Sequence, residues 1–226
     1  MSRDIKSINQ LWEEVHELNR KHFPNHRLAP ILGGGQTRNP EVMFVFINPT
    51  VRNISSDPAW EGPRFPFIGT RQIWRVFHRA GLFDDSLISK IEENSPWPIE
   101  LAVEVEEFLR KEGFYLTNLV KWTGLDGSLP DRKKIALFLP LLVKEVEIVA
   151  PKRIVTFGSS PFEHLTGQKI KLGDYFSQIS RHGLQSQEVL IGSTKVEDIP
   201  CYFPVGRGNP TRAVEILKLL KDLLPS

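Results

Sequence analysis

The chain has 226 residues, of which 40% are hydrophobic and 25% charged, enough apolar material for one domain with a substantial core. Its 29 basic and 27 acidic residues leave a net charge of only +2, so nucleic-acid binding would need a local basic patch rather than a global one. The single cysteine, Cys201, excludes an intrachain disulfide and any iron–sulfur cluster or zinc finger held by this chain's cysteines alone.

No basic-then-apolar leader opens the sequence and no apolar run reaches membrane-spanning length, so a soluble, cytoplasmic protein is expected. Ile5, Ile8, Leu11, Trp12, Val15 and Leu18 recur at helical spacing, and Pro24 closes this amphipathic helix. Gly33-Gly34-Gly35 lacks the Lys-Ser/Thr of a P-loop and reads as a flexible lead-in to a strand. Val42 to Ile47 is an unbroken β-branched and aromatic run, the composition of a strand buried on both faces of a parallel sheet. Pro49 ends it, which leaves Asn48 at the strand's carboxyl end, where open α/β sheets bind ligands. A long polar segment, 51–64, follows, then Phe65-Pro66-Phe67-Ile68-Gly69 and a helix over about 71–80 with Thr70 as its N-cap.

The stretch 84–98 reads as loop, and a helix near 99–112 is capped by Gly113. Tyr115 to Val120 is the second strand and carries Asn118. Asp131 opens a long apolar helix that Pro151 terminates, and Arg153 to Phe157 is the third strand, with Ser160-Pro161 starting a short helix. Residues 168–199 read as loops with edge hairpins, Cys201 to Val205 as the last strand, and Asn209-Pro210 as the start of a terminal helix over 210–224. Strands alternating with helices predict one α/β domain over 1–226, a three-layer α/β/α sandwich around a four-stranded parallel sheet, with the N-terminal helix packed on the core.

The polar residues at the strand ends suggest a chemistry. The carboxamides of Asn48 and Asn118 each offer a donor beside an acceptor, which matches a uracil-like edge. Phe67 can stack on such a ring, worth about 1–3 kcal/mol. Gly206, Gly208 and Asn209 lead into a helix N-terminus suited to phosphate, with Arg207 and Arg212 adding charge. Each residue also has a plain structural use: Asn-Pro turns a chain, Phe67 can pack in the core, and Asn118 can cap a strand. Asp57 and Glu61 are available as a base in the adjoining loop, or as solvated surface carboxylates.

From about residue 30 onward, this arrangement resembles the uracil-DNA glycosylase superfamily. Residues 30–45 are similar to the lead-in of the branch that carries an iron–sulfur cluster. Phe46-Ile47-Asn48-Pro49-Thr50 resembles the Gly-Ile-Asn-Pro-Gly motif of the mismatch-specific uracil and thymine glycosylases. That likeness implies that Asn48 positions the attacking water, with Ile47 and Pro49 beside the substrate. Pro66-Phe67-Ile68-Gly69 is similar to the family's Pro-Phe-Val-Gly, which implies that Phe67 stacks on the base. Tyr115 to Lys121 resembles Ile-Thr-Asn-Val-Val-Lys, which implies that Asn118 reads the pyrimidine edge. Ile154 to Ser159 resembles a later Ile-Val-Ala-Leu-Gly strand, and 202–210 stands in the place of a His-Pro-Ser loop that enters the minor groove.

Three positions depart from the pattern: Phe203 replaces the loop histidine, Trp122 stands where a cluster cysteine is expected, and Thr50 replaces a glycine. The resemblance therefore implies a monomeric, monofunctional DNA glycosylase of base excision repair that acts on uracil or a related deaminated base without cofactor or metal. A silent nucleic-acid-binding member of the same fold, and a hydrolase of free nucleosides, are the alternatives.

Overall fold

The computed structural model describes residues 5–206 and 208–225. Helix α1 (Ile8–His22) starts at Ser7, whose hydroxyl accepts from Gln10 N. A two-residue strand β1 (Gly34–Gly35) and the fully buried strand β2 (Val42–Phe46) follow. After one 3-10 turn (Ile54–Ser56) come α2 (Gln72–Arg79), α3 (Asp85–Glu93) and α4 (Ile99–Lys111), then strand β3 (Phe114–Asn118). Helix α5 (Arg132–Val149), strand β4 (Arg153–Phe157), helices α6 (Ser159–Thr166) and α7 (Leu172–His182), strands β5 (Gln187–Ile191) and β6 (Thr194–Cys201), and helix α8 (Pro210–Lys221) complete the chain.

The sheet has six strands in the order β1-β3-β2-β4-β6-β5. The inner four, β3, β2, β4 and β6, are all parallel, as the sequence predicts. The two edges are antiparallel additions. Period-2 alternation sends Val42, Phe44 and Phe46 of β2 to one face, with α2, α3, α4, α7 and α8. Met43 and Val45 go to the other face, with α1, α5 and Leu165 of α6. β3 lies on one side of β2 and β4 on the other, so the strand order reverses around β2. In open α/β sheets, the crevice at the carboxyl end of such a reversal receives ligands.

Several local expectations are corrected. Gly34-Gly35 is not a loose lead-in but an edge strand paired with Tyr115 and Leu116. A Cβ on Gly35 would fall 2.2 Å from Phe114 O, so glycine is required for this approach. The segment 84–98 contains α3, and 168–199 contains α7 and most of a hairpin. The last strand ends at Cys201 rather than starting there, because β6 pairs with β4 from Glu197 to Cys201. Thr70 does not cap α2; its hydroxyl donates to Phe67 O instead. Gly158, not Ser160, is the N-cap of α6. Asp131 and Asn209 do cap their helices, accepting from Lys134 N and Arg212 N.

Candidate active site

β2 and β3 continue to pair just beyond their ends. Phe46 O accepts from Leu119 N at 2.7 Å, and Ile47 O from Val120 N at 2.9 Å. The contact then moves to the next loop. Gly124 N donates to Pro49 O and Val51 N to Gly124 O, both at 2.8 Å. Asn48 is thus fixed between two strand ends. Its Nδ2 donates to Pro49 O at 3.0 Å, which turns the acceptor Oδ1 away from that carbonyl. A Cβ on Gly124 would come within 3.3 Å of Asn48 Nδ2, so glycine keeps this side of the amide uncrowded. Ile47 reaches toward Gly158 at the end of β4, and Pro49 is buried.

Phe67 is held in an unusual conformation. Its φ is +73°, a region costly for any residue with a Cβ, at about 1–3 kcal/mol. Three donors grip its carbonyl: Thr70 N at 3.1 Å, Thr70 Oγ1 at 2.9 Å and Trp74 Nε1 at 3.2 Å. They explain why Thr70 is unavailable as a cap. The half-buried Phe67 ring stands edge-on to Phe46, with centroids 4.6 Å apart.

Asn118 is paired in register with Phe46, so both side chains leave the sheet on the same face. That is the face on which Phe67 packs. Asn118 is 1% exposed, and its Nδ2 is buried without an acceptor. An unpaired buried amide costs about 1–3 kcal/mol, and such groups call for an explanation.

Sequence reasoning missed what fixes Asn118. On the opposite face, Lys121 Nζ donates to Asn118 O at 2.6 Å, Thr117 Oγ1 at 2.5 Å and Glu145 Oε2 at 2.5 Å. Thr117 Oγ1 and Tyr115 OH both donate to Glu145 Oε1 at 2.8 Å. Three acceptors around Nζ match the three donors of an ammonium, so Lys121 is charged here. Burial pushes its pKa down and Glu145 opposes that shift. Burial, with the Glu145 charge second, pushes the Tyr115 phenol well up, so it stays a donor. The available signal was Glu145 itself, a carboxylate among Leu141, Leu142 and Val146 on the buried stripe of α5.

Other predicted residues have more modest settings. Asp57 Oδ1 accepts from Ala59 N at 2.9 Å within an exposed turn, and Glu61 is exposed. Arg64 organises that loop by donating to the carbonyls of Ser55, Asp57, Pro58 and Trp60. In the loop after β6, a Cβ on Gly208 would fall 1.8 Å from Phe203 O, so the tight turn requires glycine. Gly206 has φ +60° and is exposed. Arg212 is not a free cation: it donates to Tyr202 OH at 2.8 Å and stacks over Phe176 and Tyr202. Arg207 lies outside the described residues. Asn48 and Asn118 stand on neighbouring strand ends, while the Gly206–Arg212 segment follows β6, two strands away from β2.

The family model for the uracil DNA glycosylase superfamily matches residues 32–223. The chain belongs to the uracil-DNA glycosylase superfamily. No curated protein matches it. Membership supports a DNA glycosylase type of enzyme, with DNA as its partner and base excision repair as its setting. The superfamily's cluster-bearing branch needs several thiolates, whereas this chain's one cysteine is buried at the end of β6, so the donor set does not fit a cluster. Among the described residues, no helix is long and apolar enough to cross a membrane.

Proposed function

We propose that the protein is a monofunctional DNA glycosylase that hydrolyses the N-glycosidic bond of uracil, or a related deaminated base, flipped out of DNA. The observation that carries this reading is the orphaned Nδ2 of Asn118, buried on the same sheet face as the strained Phe67 ring. A uracil edge places a carbonyl beside an N–H, so one carboxamide can donate to O4 and accept from N3. The Asn118 donor would then gain its missing acceptor. Phe67 would stack on the ring. The Gly206–Arg212 segment would hold phosphate at the N-terminus of α8.

Asn48 would hold a water with its Oδ1. As the C1′–N bond breaks, its electron pair moves into the base, and the water oxygen bonds to C1′ and passes its surplus proton to the departing base anion. Negative charge spreads to O4, so the Asn118 hydrogen bond strengthens in the transition state. An amide is a weak base, so the contribution of Asn48 is positional.

One observation favours a second reading, a DNA-binding member with little chemistry. Phe203 stands where the resemblance places a histidine donor, and losing such a donor costs about 2.7–4 kcal/mol of barrier. The test is a panel of single- and double-stranded oligonucleotides carrying uracil, hypoxanthine, xanthine or thymine, read by alkaline cleavage at abasic sites. Excision of uracil or another deaminated base, reduced by Asn48→Ala, supports the glycosylase. DNA binding with no product from any substrate supports the second reading, and activity only on free nucleosides refutes both.

A further inference from the structure

The family match begins at residue 32, so α1 and the arm after it, residues 23–31, stand before the matched region. Apolar packing of Leu11 and Val15 in the α5-side core already docks α1. The arm makes more specific contacts. Ala29 uses both of its backbone groups to join two loops. Its N–H donates to Ser56 O at 2.7 Å, on the loop after β2. Its carbonyl accepts from Thr123 Oγ1 at 2.7 Å, on the loop after β3. Two residues on, Ile31 N donates to Lys121 O at 3.0 Å. Ser56, Thr123 and Ile31 are buried, a low-dielectric setting that strengthens such bonds.

These contacts close a ring around Asn48. Gly124, next to Thr123, donates to Pro49 O. On the other side, Ser56 N donates to Asn53 O at 3.0 Å and Asn53 N to Thr50 O at 2.9 Å. Pro49, Gly124, Thr123, Ala29, Ser56, Asn53 and Thr50 are thus joined in a circle by hydrogen bonds or peptide bonds, and Ala29 is the one member from before the matched region. The ring also reaches the Phe67 segment. Asn53 Nδ2 donates to Phe65 O at 2.8 Å and Ile54 N to Ile68 O at 3.1 Å, on either side of that ring. Aromatic packing seats the arm: His26 lies 4.8 Å from Trp122, and Phe23 stacks on Phe138 of α5.

We infer that the arm 23–31 is a positioning element for base excision, which holds Asn48 and Phe67 in place by joining the loops after β2 and β3 through Ala29 and Thr123. This rests on the glycosylase reading above, and Ala29 and Thr123 act through Asn48 rather than on the substrate. Thr123→Val removes the bond to Ala29 O at nearly constant size, and Thr123→Ser keeps it. Val189→Ala, on β5 at the far edge of the sheet, controls for lost stability alone. Two quantities are read: amide hydrogen exchange at Val51 and Gly124, and the single-turnover rate of uracil excision from single-stranded DNA, with DNA affinity measured alongside.

Thr123→Val is expected to speed exchange at both amides and to slow excision, each about tenfold or more, because small misplacements of a positioned group cost up to roughly a hundredfold. DNA affinity should hold, Thr123→Ser should restore both readouts, and Val189→Ala should leave both unchanged. Trp122→Leu, which removes the seat of His26 but none of the hydrogen bonds, should move both readouts in the same direction as Thr123→Val. Wild-type exchange or a wild-type excision rate in Thr123→Val would overturn the positioning role while leaving the glycosylase reading intact. So would an equal slowing in Val189→Ala. A wild-type protein that excises no base would overturn the glycosylase reading instead, and the exchange measurement then decides alone whether the arm holds the Asn48 segment.

Discussion

Glu145→Gln is the sharpest probe of how the site is held. The carboxylate is fully buried and accepts from Lys121, Thr117 and Tyr115. Glutamine keeps an acceptor for the two hydroxyls but faces an amide or a neutral oxygen toward the Lys121 ammonium, which is itself 1% exposed. Leaving one member of a buried ion pair without its partner costs about 3–5 kcal/mol. Part of that cost disappears when the stranded charge is also removed, so Lys121→Met/Glu145→Gln should lose less than the sum of the single losses, by about 2 kcal/mol. Urea unfolding at neutral pH measures all four corners of the cycle. A single-variant loss below about 1 kcal/mol, or additivity within about 0.5 kcal/mol, would refute the ionised-pair description. Lys121 Nζ also grips Asn118 O, so Lys121→Met should lower base excision more than a surface Lys→Met change does.

Three further outcomes follow from single observations. Asp198 is buried with Oδ2 unpaired, and burial raises its pKa to about 7, opposed only by the Thr156 hydroxyl. A carboxyl raised in the folded state stabilises fully below its unfolded pKa and loses that contribution as pH rises toward 7. Asp198→Asn should therefore remove a fall in unfolding free energy between about pH 4 and 7, with an upper bound of roughly 4 kcal/mol, and identical pH slopes in both proteins would contradict this. Phe67→Ala should lower excision efficiency by about 1–3 kcal/mol of lost stacking, and a wild-type rate would remove Phe67 from the site. Gly208→Ala forces Cβ onto Phe203 O, so DNA affinity should drop while the circular dichroism spectrum is retained; unchanged affinity would show that the loop makes no contact.

The sequence was most readable where local chemistry and tertiary setting agree. Val42 to Phe46 is apolar throughout because both of its faces are covered, and Asp131 and Asn209 cap their helices with their own side chains. It misled where a distant group takes over a residue. Thr70 has the chemistry of a cap, but the left-handed turn at Phe67 brings a carbonyl to its hydroxyl first. Residues 168–199 read as loops with edge hairpins, yet β6 runs through Pro200 to Cys201; pairing with β5 stops at Asp198, so on that side the missing N–H of Pro200 costs no ladder bond. Asn48 and Asn118 were identifiable as carboxamides at strand ends, and Phe67 as an aromatic residue in the segment before α2. The orphaned amide of Asn118 appears only in three dimensions, as does the ion pair beneath it, which joins Lys121 to Glu145 of α5, 24 residues further along the chain.

The central claim is that the unpaired amide of Asn118 meets the edge of the extruded base. Asn118→Asp tests it most directly, because it replaces a donor with an acceptor at constant size. The measurement is the ratio of uracil to cytosine excision from otherwise identical single-stranded oligonucleotides. Uracil offers O4 as an acceptor, whereas cytosine offers an amino donor in its place. The account predicts that the ratio shifts toward cytosine by about ten- to hundredfold, the worth of exchanging one hydrogen bond. A ratio equal to wild type, in a folded and DNA-binding variant, would contradict it.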